Sequence, residues 1–555
     1  MFALGLHYLN GWAMAAADGA RKERAEWPPH PDRVYMALAA AWFETGRSAS
    51  ERDSLLWLET LNPPSITASE ATERHSVKVF VPVNDTSSPF EDEKKGSLAT
   101  PAECYPLGRP RRDRRFAVAI PHDPNVYLSW PEELPPEFLE PLTNLCQKVI
   151  SVGHPASLVQ MWVETTPPLA NWIPVEGIAP HRLRVFDKER LSYLERRCNR
   201  DTVIFYRDLQ GRLKNLAETK KSVDEKRKAA TKILKGAEKK AIEAPFKMEL
   251  AEIDRAIEDA TTRLEPFFGA APISLRPEPG LWQGYGKPTP AEQPDLPGSL
   301  FDPRLVVLAL TGQRLSLHST LKLTEALRGA MLAACPEPIP EWLSGHSADG
   351  RASARPHVAL LPLPFVGHEH ADGRVMGLAL ALPREADSAA AAAILEPWLR
   401  DEYGFALPFR LFNAEWLDCL AELETRESPP VSLRAGLWTR PARRWASVTP
   451  VVLDRHCDGK DKWEKAAEIV KDACQRIGLP RPSEVLLHPV ALVEGAPHAS
   501  EFPYLTRKSD GGRMHHAHAV LWFDEPVAGP VLIGAGRFRG YGLCRPLPQG
   551  GENHG

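Results

Sequence analysis

The sequence predicts an α+β protein built from tandem ferredoxin-like (RRM-like) folds, with one charged helical insertion. Short apolar segments with the length of strands alternate with longer segments that repeat apolar residues at helical spacing. A strand followed by a helix opens the chain within residues 2–43, and the same layout begins again at residue 305. Residues 187–265 differ from both parts, since 36 of these 79 residues are charged and only one is proline.

The first half is predicted to begin with a strand and a helix, continue with further strands, and end with a helix and a strand. Asp32 is the expected cap of the first helix, because it stands just before the apolar run that starts at Val34. This order of elements is typical of a ferredoxin-like fold. The predicted strands cover residues 2–9, 77–81, 116–120, 126–130 and 157–163, and the predicted helices cover 34–43 and 136–150.

The second half repeats this layout and extends it. Its predicted strands cover residues 305–310, 355–366, 375–382, 445–453, 485–493, 516–523 and 530–541, and its predicted helices cover 320–334, 386–399 and 462–477. Residues 280–303 are rich in glycine and proline, which predicts a linker. The expected domains are therefore residues 1–300, which contain the insert 187–265, and residues 301–555.

The insert 187–265 is predicted to be a helical hairpin that breaks near Pro245. Stretches such as residues 226–232 are rich in lysine, arginine and alanine, which favour helix. A charged face exposed to solvent is favoured here over a dedicated RNA-binding arm.

Overall composition is that of a globular chain, with 555 residues and a formal net charge of −4. The 68 basic residues, against 72 acidic ones, at first argue against a protein that binds nucleic acid. The eight cysteines are scattered without a C-x-x-C pair, which predicts a reduced, cytoplasmic protein without a zinc ribbon. No apolar run approaches the ~18 residues that a membrane helix needs, so no membrane association is expected.

Three clusters of arginine break this balance locally. Guanidinium groups bind phosphates and tryptophans offer faces for stacking, so the clusters predict contacts to single-stranded RNA. A solubility patch, or pairing with acidic residues elsewhere, is the alternative for any single cluster. The first cluster, in residues 109–115, is Arg109, Arg111, Arg112, Arg114 and Arg115 with one aspartate; the second, in residues 434–445, is Arg434, Arg440, Arg443 and Arg444 with Trp438 and Trp445; and the third is Arg537, Arg539 and Arg545.

The most specific stretch is glycine-rich and follows an apolar run near the end of the chain. Residues 534–543 read Gly-Ala-Gly-Arg-Phe-Arg-Gly-Tyr-Gly-Leu, a spacing that matches neither a dinucleotide fingerprint nor a P-loop. Its glycines allow the backbone to approach a ligand and to expose N–H groups, while its arginines supply charge. This combination suits RNA phosphates, and a glycine-rich bulged hairpin is the structural alternative. The glycines are Gly534, Gly536, Gly540 and Gly542.

Histidines concentrate in the second half, where residues 301–555 hold twelve of the 18. This bias favours acid–base chemistry in that half. His516 and His518 share one face of a predicted strand, which is an arrangement that can bind a metal. Carboxylates and cysteines at ligand spacing are missing around them, so neither a metal nor a cofactor is predicted.

Four stretches, taken together, resemble the large fused subunit of type I-G (formerly I-U) CRISPR systems. That subunit joins a Cas-five-like half to a Cas-six-like half, both from the RAMP superfamily, and the resemblance is weakest over the insert. The stretches are Trp-Pro-Pro-His-Pro-Asp-Arg at 27–33, Pro-Val-Asn-Asp at 82–85, Val-Thr-Pro-Val-Val-Leu-Asp-Arg at 448–455 and the glycine-rich residues 534–543.

The resemblance implies a function for each half. Residues 1–300 would bind the 5′ handle of the CRISPR RNA, and residues 301–555 would cut precursor CRISPR RNA within its repeat. The cut would need no metal, because a base removes the proton of a ribose 2′-OH, which attacks the adjacent phosphate and leaves a 2′,3′-cyclic phosphate. Mature CRISPR RNA and the backbone and large subunits of the antiviral effector complex are the implied partners.

The resemblance also implies that the catalytic histidine lies close to the first helix of the Cas-six-like half. His318 and His346 meet this condition, and the family's Ser-Gly-His and Pro-His stretches match residues 344–346 and 356–357. We rank His346 first, then His357, then His318. Two alternatives stay open. One is a non-catalytic RNA-binding scaffold in which all histidines are structural, and the other is a metal-dependent nuclease that uses His516 and His518.

Overall fold

The computed structural model describes residues 1–19, 21–82, 111–198, 200–233, 235–267, 277–288, 296–347, 349–412, 417–426, 428–457, 459–507 and 511–547. Its helices and antiparallel sheets confirm the predicted α+β class. The strands are β1 (Phe2–Tyr8), β2 (Ser65–Ala68), β3 (Ala71–Arg74), β4 (Val79–Pro82), β5 (Arg111–Arg114), β6 (Val118–Pro121), β7 (Asn125–Trp130), β8 (Val159–Glu164), β9 (Ile173–Val175), β10 (His181–Val185), β11 (Leu281–Gly286), β12 (Val306–Gly312), β13 (Ala359–Pro364), β14 (Val375–Ala381), β15 (Phe409–Phe412), β16 (Asp418–Leu423), β17 (Ala442–Ser447), β18 (Val451–Val452), β19 (Glu484–His488), β20 (His516–Val527) and β21 (Cys544–Pro546). The helices are α1 (Pro31–Glu44), α2 (Ala49–Leu58), α3 (Pro136–Lys148), α4 (Arg190–Cys198), α5 (Arg200–Thr231), α6 (Gly236–Leu264), α7 (Thr320–Ala334), α8 (Glu341–Ser344), α9 (Ser388–Leu399), α10 (Gly436–Thr439) and α11 (Lys462–Arg476).

β1 lies inside the first sheet, whose order is β2-β7-β1-β8. It runs antiparallel to β7 and β8, with Leu4 opposite Leu128 and Val163. Leu38 from α1 and Leu142 from α3 join Leu4 in one buried core. The apolar run that predicted the first strand therefore becomes the centre of the first hydrophobic core.

A smaller sheet of order β10-β11-β9 completes the first half. Because β11 lies inside residues 280–303, the prediction of a linker is wrong over that part. Tyr285 of β11 is fully buried, and its hydroxyl donates a hydrogen bond to the carbonyl of Pro64 at 2.8 Å. This buried aromatic residue ties β11 to the first core, an effect that the surrounding glycine and proline do not reveal.

The second half begins with a five-stranded sheet of order β13-β14-β12-β16-β15. α7 and α9 cover it, and Leu323, Leu327 and Leu395 are fully buried in its core. A further sheet has the order β18-β20-β17-β21, with β19 paired to β20. α11 packs on that sheet through Val470 and Cys474.

Residues 530–541 were predicted as a strand, and this prediction is wrong. They form a loop with a short 3-10 turn at Arg537–Arg539. Gly534 and Gly540 have φ angles of +86° and +82°, which an extended strand does not accommodate. The apolar residues of this segment are nevertheless buried: Leu532 lies in the core of the five-stranded sheet, and Val531 and Ile533 lie in the core beneath α11.

The same strand order recurs in the three larger sheets. When the edge strands β15 and β18 are left aside, each sheet has four strands, and counted along the chain they lie in the order second, third, first, fourth: β2-β7-β1-β8, β13-β14-β12-β16 and β19-β20-β17-β21. In the first two sheets a helix also separates the third strand from the fourth. In the last sheet the glycine-rich residues 534–542 occupy that position in the chain.

The insert folds as a hairpin of the long helices α5 and α6, preceded by α4. Its turn lies between the end of α5 at Thr231 and the start of α6 at Gly236, and not near Pro245, which lies inside α6. Gly236 has a φ of +69°, a conformation that glycine adopts readily, and it marks the reversal. Pro245 is tolerated because residue 241, whose carbonyl loses its N–H partner, is exposed to water. Across the described ranges, no helix combines the length and the hydrophobicity needed to cross a bilayer.

Candidate functional site

The glycine-rich loop, residues 534–542, lies on the first half of helix α7. A Cβ atom added to Gly540 would lie 2.6 Å from Cγ2 of Thr320, so only glycine fits against the helix here. Thr324 Oγ1 donates a hydrogen bond to the carbonyl of Arg539 at 3.2 Å, and the Arg539 guanidinium forms an ion pair with Glu325. The loop and the helix therefore form one surface.

Residues of the last sheet hold the glycine-rich loop from its other side. Thr449 Oγ1 donates a hydrogen bond to the carbonyl of Gly540 at 2.9 Å and accepts one from the N–H of Leu543 at 3.0 Å. Tyr541 is fully buried, and its hydroxyl donates to the carbonyl of Pro503 at 2.6 Å. These bonds fix the backbone of the loop, so its arginines project from a defined frame.

His357 packs directly against the glycine-rich loop. Its ring stacks on Phe538 with the centroids 3.7 Å apart and an angle of 23° between the planes. Gly345 lies against the same imidazole, since a Cβ added there would lie 3.0 Å from its Cδ2. Burial, together with the nearby charge of Arg328, lowers the pKa of His357 to about 4. The ring is therefore neutral at physiological pH and serves as a packed aromatic surface.

His346 follows Gly345 and is exposed to solvent. Its Nδ1 lies 3.0 Å from the carbonyl oxygen of Ser344, and Nη2 of Arg328 donates to that same oxygen at 2.6 Å. A carbonyl oxygen can only accept, so Nδ1 carries the hydrogen and Nε2 carries the lone pair. This tautomer suits a proton acceptor, and the carbonyl holds the ring in place.

His318 lies just before α7, in the 3-10 turn Leu317–Ser319. Its Nδ1 is 2.6 Å from Oγ of Ser316, and its side chain is exposed. Two residues later, Thr320 contacts Gly540. His357 is therefore in direct contact with the glycine-rich loop, His318 lies two residues before a residue that packs on it, and His346 follows Gly345, which packs on His357.

The two arginines of the loop differ in their environment. Arg537 is half-buried, donates to the carbonyl of Gly534 at 3.1 Å and lies over the ring of Phe538, with its guanidinium carbon 4.5 Å from the centroid. Arg539 is exposed beside Glu325. The charges of Arg328 and Arg537 act on His357, and the charge of Arg539 acts on Arg328. This surface of two histidines, a stacked phenylalanine and three arginines is suited to binding a phosphodiester.

A family of CRISPR-associated proteins, the GSU0054 family, matches residues 8–197 and 304–546. The chain belongs to this family. No curated protein sequence matches the chain. The matched residues include the glycine-rich loop and all three candidate histidines, whereas helices α5 and α6 lie outside them. The chain is therefore a CRISPR-associated protein, and such proteins act within CRISPR–Cas systems.

The second arginine cluster of this CRISPR-associated protein lies away from the histidines. His357 lies just before β13 and Val366 lies just after it. Arg545, which follows the glycine-rich loop, donates a hydrogen bond to the carbonyl of Val366. At 3.3 Å per residue the six residues of β13 separate these ends by about 20 Å. Burial lowers the pKa of Arg545, and the charge of Arg440 lowers it further. Arg440 of the second cluster therefore lies near Arg545, at this end of β13.

The tryptophans of that second cluster do not offer stacking faces to RNA. Trp438 and Trp445 are fully buried, and their indole N–H groups donate to the carbonyls of Ser432 and Ala442. The expectation of aromatic stacking is therefore wrong at both positions, because both rings serve the cores. Arg443 is exposed, while Arg444 is half-buried, with its guanidinium carbon 5.8 Å from the ring centroid of Trp522.

The first arginine cluster lies in the other half of the protein. Arg111 and Arg112 belong to β5, but their side chains lie outside the described part of the chain; Arg114 is half-buried, and Arg115 forms an ion pair with Glu23. Arg115 also lines a cavity of about 540 Å³, together with Lys22, His154 and Arg184. The structure thus brings Arg115 into a basic cavity but does not bring this cluster to the candidate histidines.

A buried ionic network next to this cavity was missed from the sequence. Glu26, which is 2% exposed, accepts hydrogen bonds from Nε and Nη2 of Arg33 at 2.7 and 2.6 Å. Burial alone would raise the pKa of Glu26, but the charges of His30 and Arg33 and their hydrogen bonds outweigh it and lower the pKa to about 2. The stretch 27–33 contributes His30 and Arg33 to this network, so part of its pattern is structural.

The alternative metal site is not formed by His516 and His518. His518 is 3% exposed, and its Nδ1 and Nε2 lie 3.1 and 3.0 Å from Ser447 Oγ and the carbonyl oxygen of Pro497. His516 stacks on Tyr504 with the centroids 4.5 Å apart. Within the described ranges, no group of three or more histidine, cysteine, aspartate or glutamate residues is placed to hold a metal ion.

Arg328, Glu325 and Phe538 are the site residues that sequence reasoning overlooked. Glu325 and Arg328 are three residues apart on α7 and share the helix face that meets the loop. Charged residues three apart beside an apolar stripe indicate an exposed helix face that can contact another part of the protein, but such pairs occur on most exposed helices. Only the position of the glycine-rich loop distinguishes them.

Proposed function

We propose that this protein is a metal-independent endoribonuclease that cuts precursor CRISPR RNA within its repeat and then remains a subunit of the effector complex in antiviral defence. The observation that carries the proposal is the stacking of Phe538 on His357 at 3.7 Å, which joins the arginine-bearing loop to the His346–His357 segment. The exposure of His346 and its tautomer favour it as the base.

The proposed architecture is a Cas-five-like half, residues 1–300, followed by a Cas-six-like half, residues 301–555. We interpret the three larger sheets as ferredoxin-like folds. The recurrence of one strand order in all three supports this interpretation. The resemblance to the fused type I-G subunit supports the assignment of the halves, and it also implies the backbone and large subunits as partners.

In the proposed reaction, Nε2 of His346 accepts the proton of a ribose 2′-OH in the repeat. The O2′–P bond forms as the P–O5′ bond breaks, and the departing O5′ takes up a proton. The products are a 2′,3′-cyclic phosphate and a 5′-hydroxyl. Arg537 and Arg539 stabilise the extra negative charge on the phosphorane, as does any N–H group that the loop exposes. His318 is the candidate for the proton donor to O5′.

The first half is proposed to hold the 5′ handle of the processed RNA. The basic cavity of about 540 Å³ that Arg115 and Arg184 line supports this assignment. Arg440, Arg443 and Arg444 are proposed as contacts to RNA beyond the cleaved phosphate, at the opposite end of β13. Mature RNA would then stay bound after cleavage, because the contacts in the first half do not involve the scissile phosphate.

Cleavage of repeat RNA in EDTA by single alanine variants tests the enzyme proposal. His346→Ala is expected to lower the single-turnover rate by 10²-fold or more, the scale of general-base catalysis, with little change in RNA affinity. His357→Ala is expected to weaken binding as well as rate, because it removes the surface that supports Phe538. His75→Ala is the control, since this exposed histidine lies in the first half. Intact RNA with the unsubstituted protein contradicts the proposal.

A non-catalytic RNA-binding scaffold is the second candidate. The observation in its favour is the environment of His357, which is neutral and packed between Gly345 and Phe538. A scaffold would bind repeat RNA without cutting it, and its affinity would be indifferent to His346→Ala and His318→Ala.

A further inference from the structure

Charge is segregated along the helical hairpin of α5 and α6. Residues 220–247, which we call the basic tip, carry ten lysines and arginines and four acidic residues. Residues 201–219 and 248–265, at the end nearer the protein body, carry five basic and nine acidic residues. Because the turn lies between the end of α5 and the start of α6, the basic parts of both helices come together at one end.

The basic tip lies at the end of the hairpin remote from its attachment to the first half. The hairpin is attached at its other end, where α4 buries Leu191 in the first core and Glu195 pairs with Arg52 at 2.9 Å. The hairpin's own apolar cluster, around Leu209 and Leu264, also lies near that end. At 1.5 Å per residue, the turn lies about 35 Å beyond Leu209 along α5.

Several cations of the tip remain available after its internal ion pairs are formed. Asp224 pairs with Arg227 and Lys228, and Glu243 pairs with Lys239 and Lys247. Five other lysines are exposed and, within the described residues, form no ion pair. They are Lys221, Lys226, Lys232, Lys235 and Lys240.

The chemistry of the tip favours a phosphate backbone over bases. Nine of its ten cations are lysines, which act as point charges on phosphates, whereas planar arginine forks read base edges. Its only aromatic residue is Phe246, which is half-buried, so the tip lacks the rings on which unpaired bases stack. These features match a rigid, closely spaced array of phosphates rather than a flexible single strand.

We propose that the basic tip binds the phosphate backbone of a double-stranded nucleic acid without reading its sequence. The tip lies outside the residues that match the family, so this binding is an additional property of the chain and is independent of the proposed RNA cleavage.

A matched pair of triple variants of the full-length protein tests this proposal. The first, Lys226→Gln, Lys232→Gln and Lys235→Gln, removes three charges from the tip. The second, Lys188→Gln, Arg212→Gln and Lys214→Gln, removes three exposed charges near the other end of the hairpin. Fluorescence anisotropy measures binding to random-sequence 30-base-pair duplex DNA, to duplex RNA of the same length and to single-stranded repeat RNA, over a range of salt concentrations.

For at least one of the two duplexes, the tip variant is expected to bind at least tenfold more weakly at low salt. Its slope of log K against log salt should fall by about 2 to 3, since each lost phosphate contact removes about 0.9. The second variant, with its three substitutions near the other end of the hairpin, should bind both duplexes like the unsubstituted protein. The affinity of both variants for single-stranded repeat RNA should stay unchanged. Equal duplex affinity and slope for the two variants, or an equal loss for single-stranded RNA, overturns the proposal. Circular dichroism checks that both variants keep their helices.

Discussion

Replacing Gly540 by alanine should weaken the packing of the glycine-rich loop on helix α7. The loss of free energy follows from two features of the structure. Gly540 has a φ of +82°, a left-handed conformation that costs a residue with a Cβ about 1–2 kcal/mol. The new Cβ would also lie 2.6 Å from Cγ2 of Thr320, which cannot move away easily because Thr320 is fully buried and its hydroxyl donates to the carbonyl of Leu317. Overpacking of this kind adds about 1–3 kcal/mol. We expect Gly540→Ala to destabilise the closed loop by about 2–5 kcal/mol.

Native-state hydrogen exchange measures this loss where it occurs. The N–H of Leu543 is bonded to Oγ1 of Thr449 at 3.0 Å and exchanges when the loop opens. A loss of about 2–5 kcal/mol speeds exchange by about 30- to 4,000-fold, since about 1.4 kcal/mol corresponds to a factor of ten. Combining Gly540→Ala with Thr320→Ser removes Cγ2 but keeps the hydroxyl, and it should recover about 1–2 kcal/mol.

Gly350→Ala is the matched control for this experiment. Gly350 also has a positive φ, of +79°, but no atom lies within 4 Å of the Cβ that would be added, so it tests backbone strain without a clash. Exchange of the Leu543 N–H should be unchanged in this variant. Unchanged exchange in Gly540→Ala, or no recovery in its combination with Thr320→Ser, would refute the proposed packing of the loop on α7.

Two further predictions concern stability. Burial lowers the pKa of His518 from its ordinary value near 6.5 to about 4, so the unfolded chain binds the proton more readily; stability should fall as the pH drops from about 6.5 to about 4, by up to about 3 kcal/mol from this residue. The decrease in unfolding temperature between pH 7 and pH 5 should be smaller in His518→Gln, and an identical decrease contradicts the assignment. Arg190→Ala should destabilise the first half by about 3–5 kcal/mol, because Asp32, 1% exposed and bonded to Arg190 at 2.7 and 2.8 Å, would keep a buried, unpaired charge. In denaturant unfolding, Arg190→Ala combined with Asp32→Ala should be less destabilised than Arg190→Ala alone, and the reverse order contradicts the prediction.

Elements with a locally decided pattern could be predicted from the sequence. Helix α7 has the predicted bounds, because Leu323, Leu327 and Met331 repeat at helical spacing and all three are buried. The strand β1 was predicted within a residue for the same reason, since its apolar run has the length of a central strand. In both elements a local pattern, helical spacing in α7 and a short apolar run in β1, is enough to predict the structure that forms.

Features decided by tertiary contacts could not be predicted. Trp438 and Trp445 are the same residue type whether they stack on RNA or fill a core, and only the fold places them inside. Pro245 is a strong helix breaker in sequence, yet the hairpin turns between the end of α5 and the start of α6. Residues 530–541 combine strand-like apolar residues with glycines, and the contact of Gly540 with Thr320 decides in favour of a loop.

The candidate site was predictable in its parts but not in its assembly. The histidines and the glycine-rich loop are visible in the sequence as separate features, about 180 residues apart. Nothing local shows that Phe538 stacks on His357 or that Arg328 and His346 share the carbonyl of Ser344. The first pairing follows from the docking of the glycine-rich loop against α7 and β13, and the second follows from the packing of residues 344–346 on α7.

The most direct test of the proposed function is the chemistry of the cut itself. Repeat RNA should be incubated with the protein in EDTA and the cleavage site mapped. The same RNA with a single 2′-deoxynucleotide on the 5′ side of the scissile phosphate is then compared with it. We expect the unmodified RNA to yield a 2′,3′-cyclic phosphate and the 2′-deoxy RNA to stay intact but bind with similar affinity. Cleavage of the 2′-deoxy RNA, or cleavage of the unmodified RNA only after a divalent metal is added, would contradict the proposed mechanism.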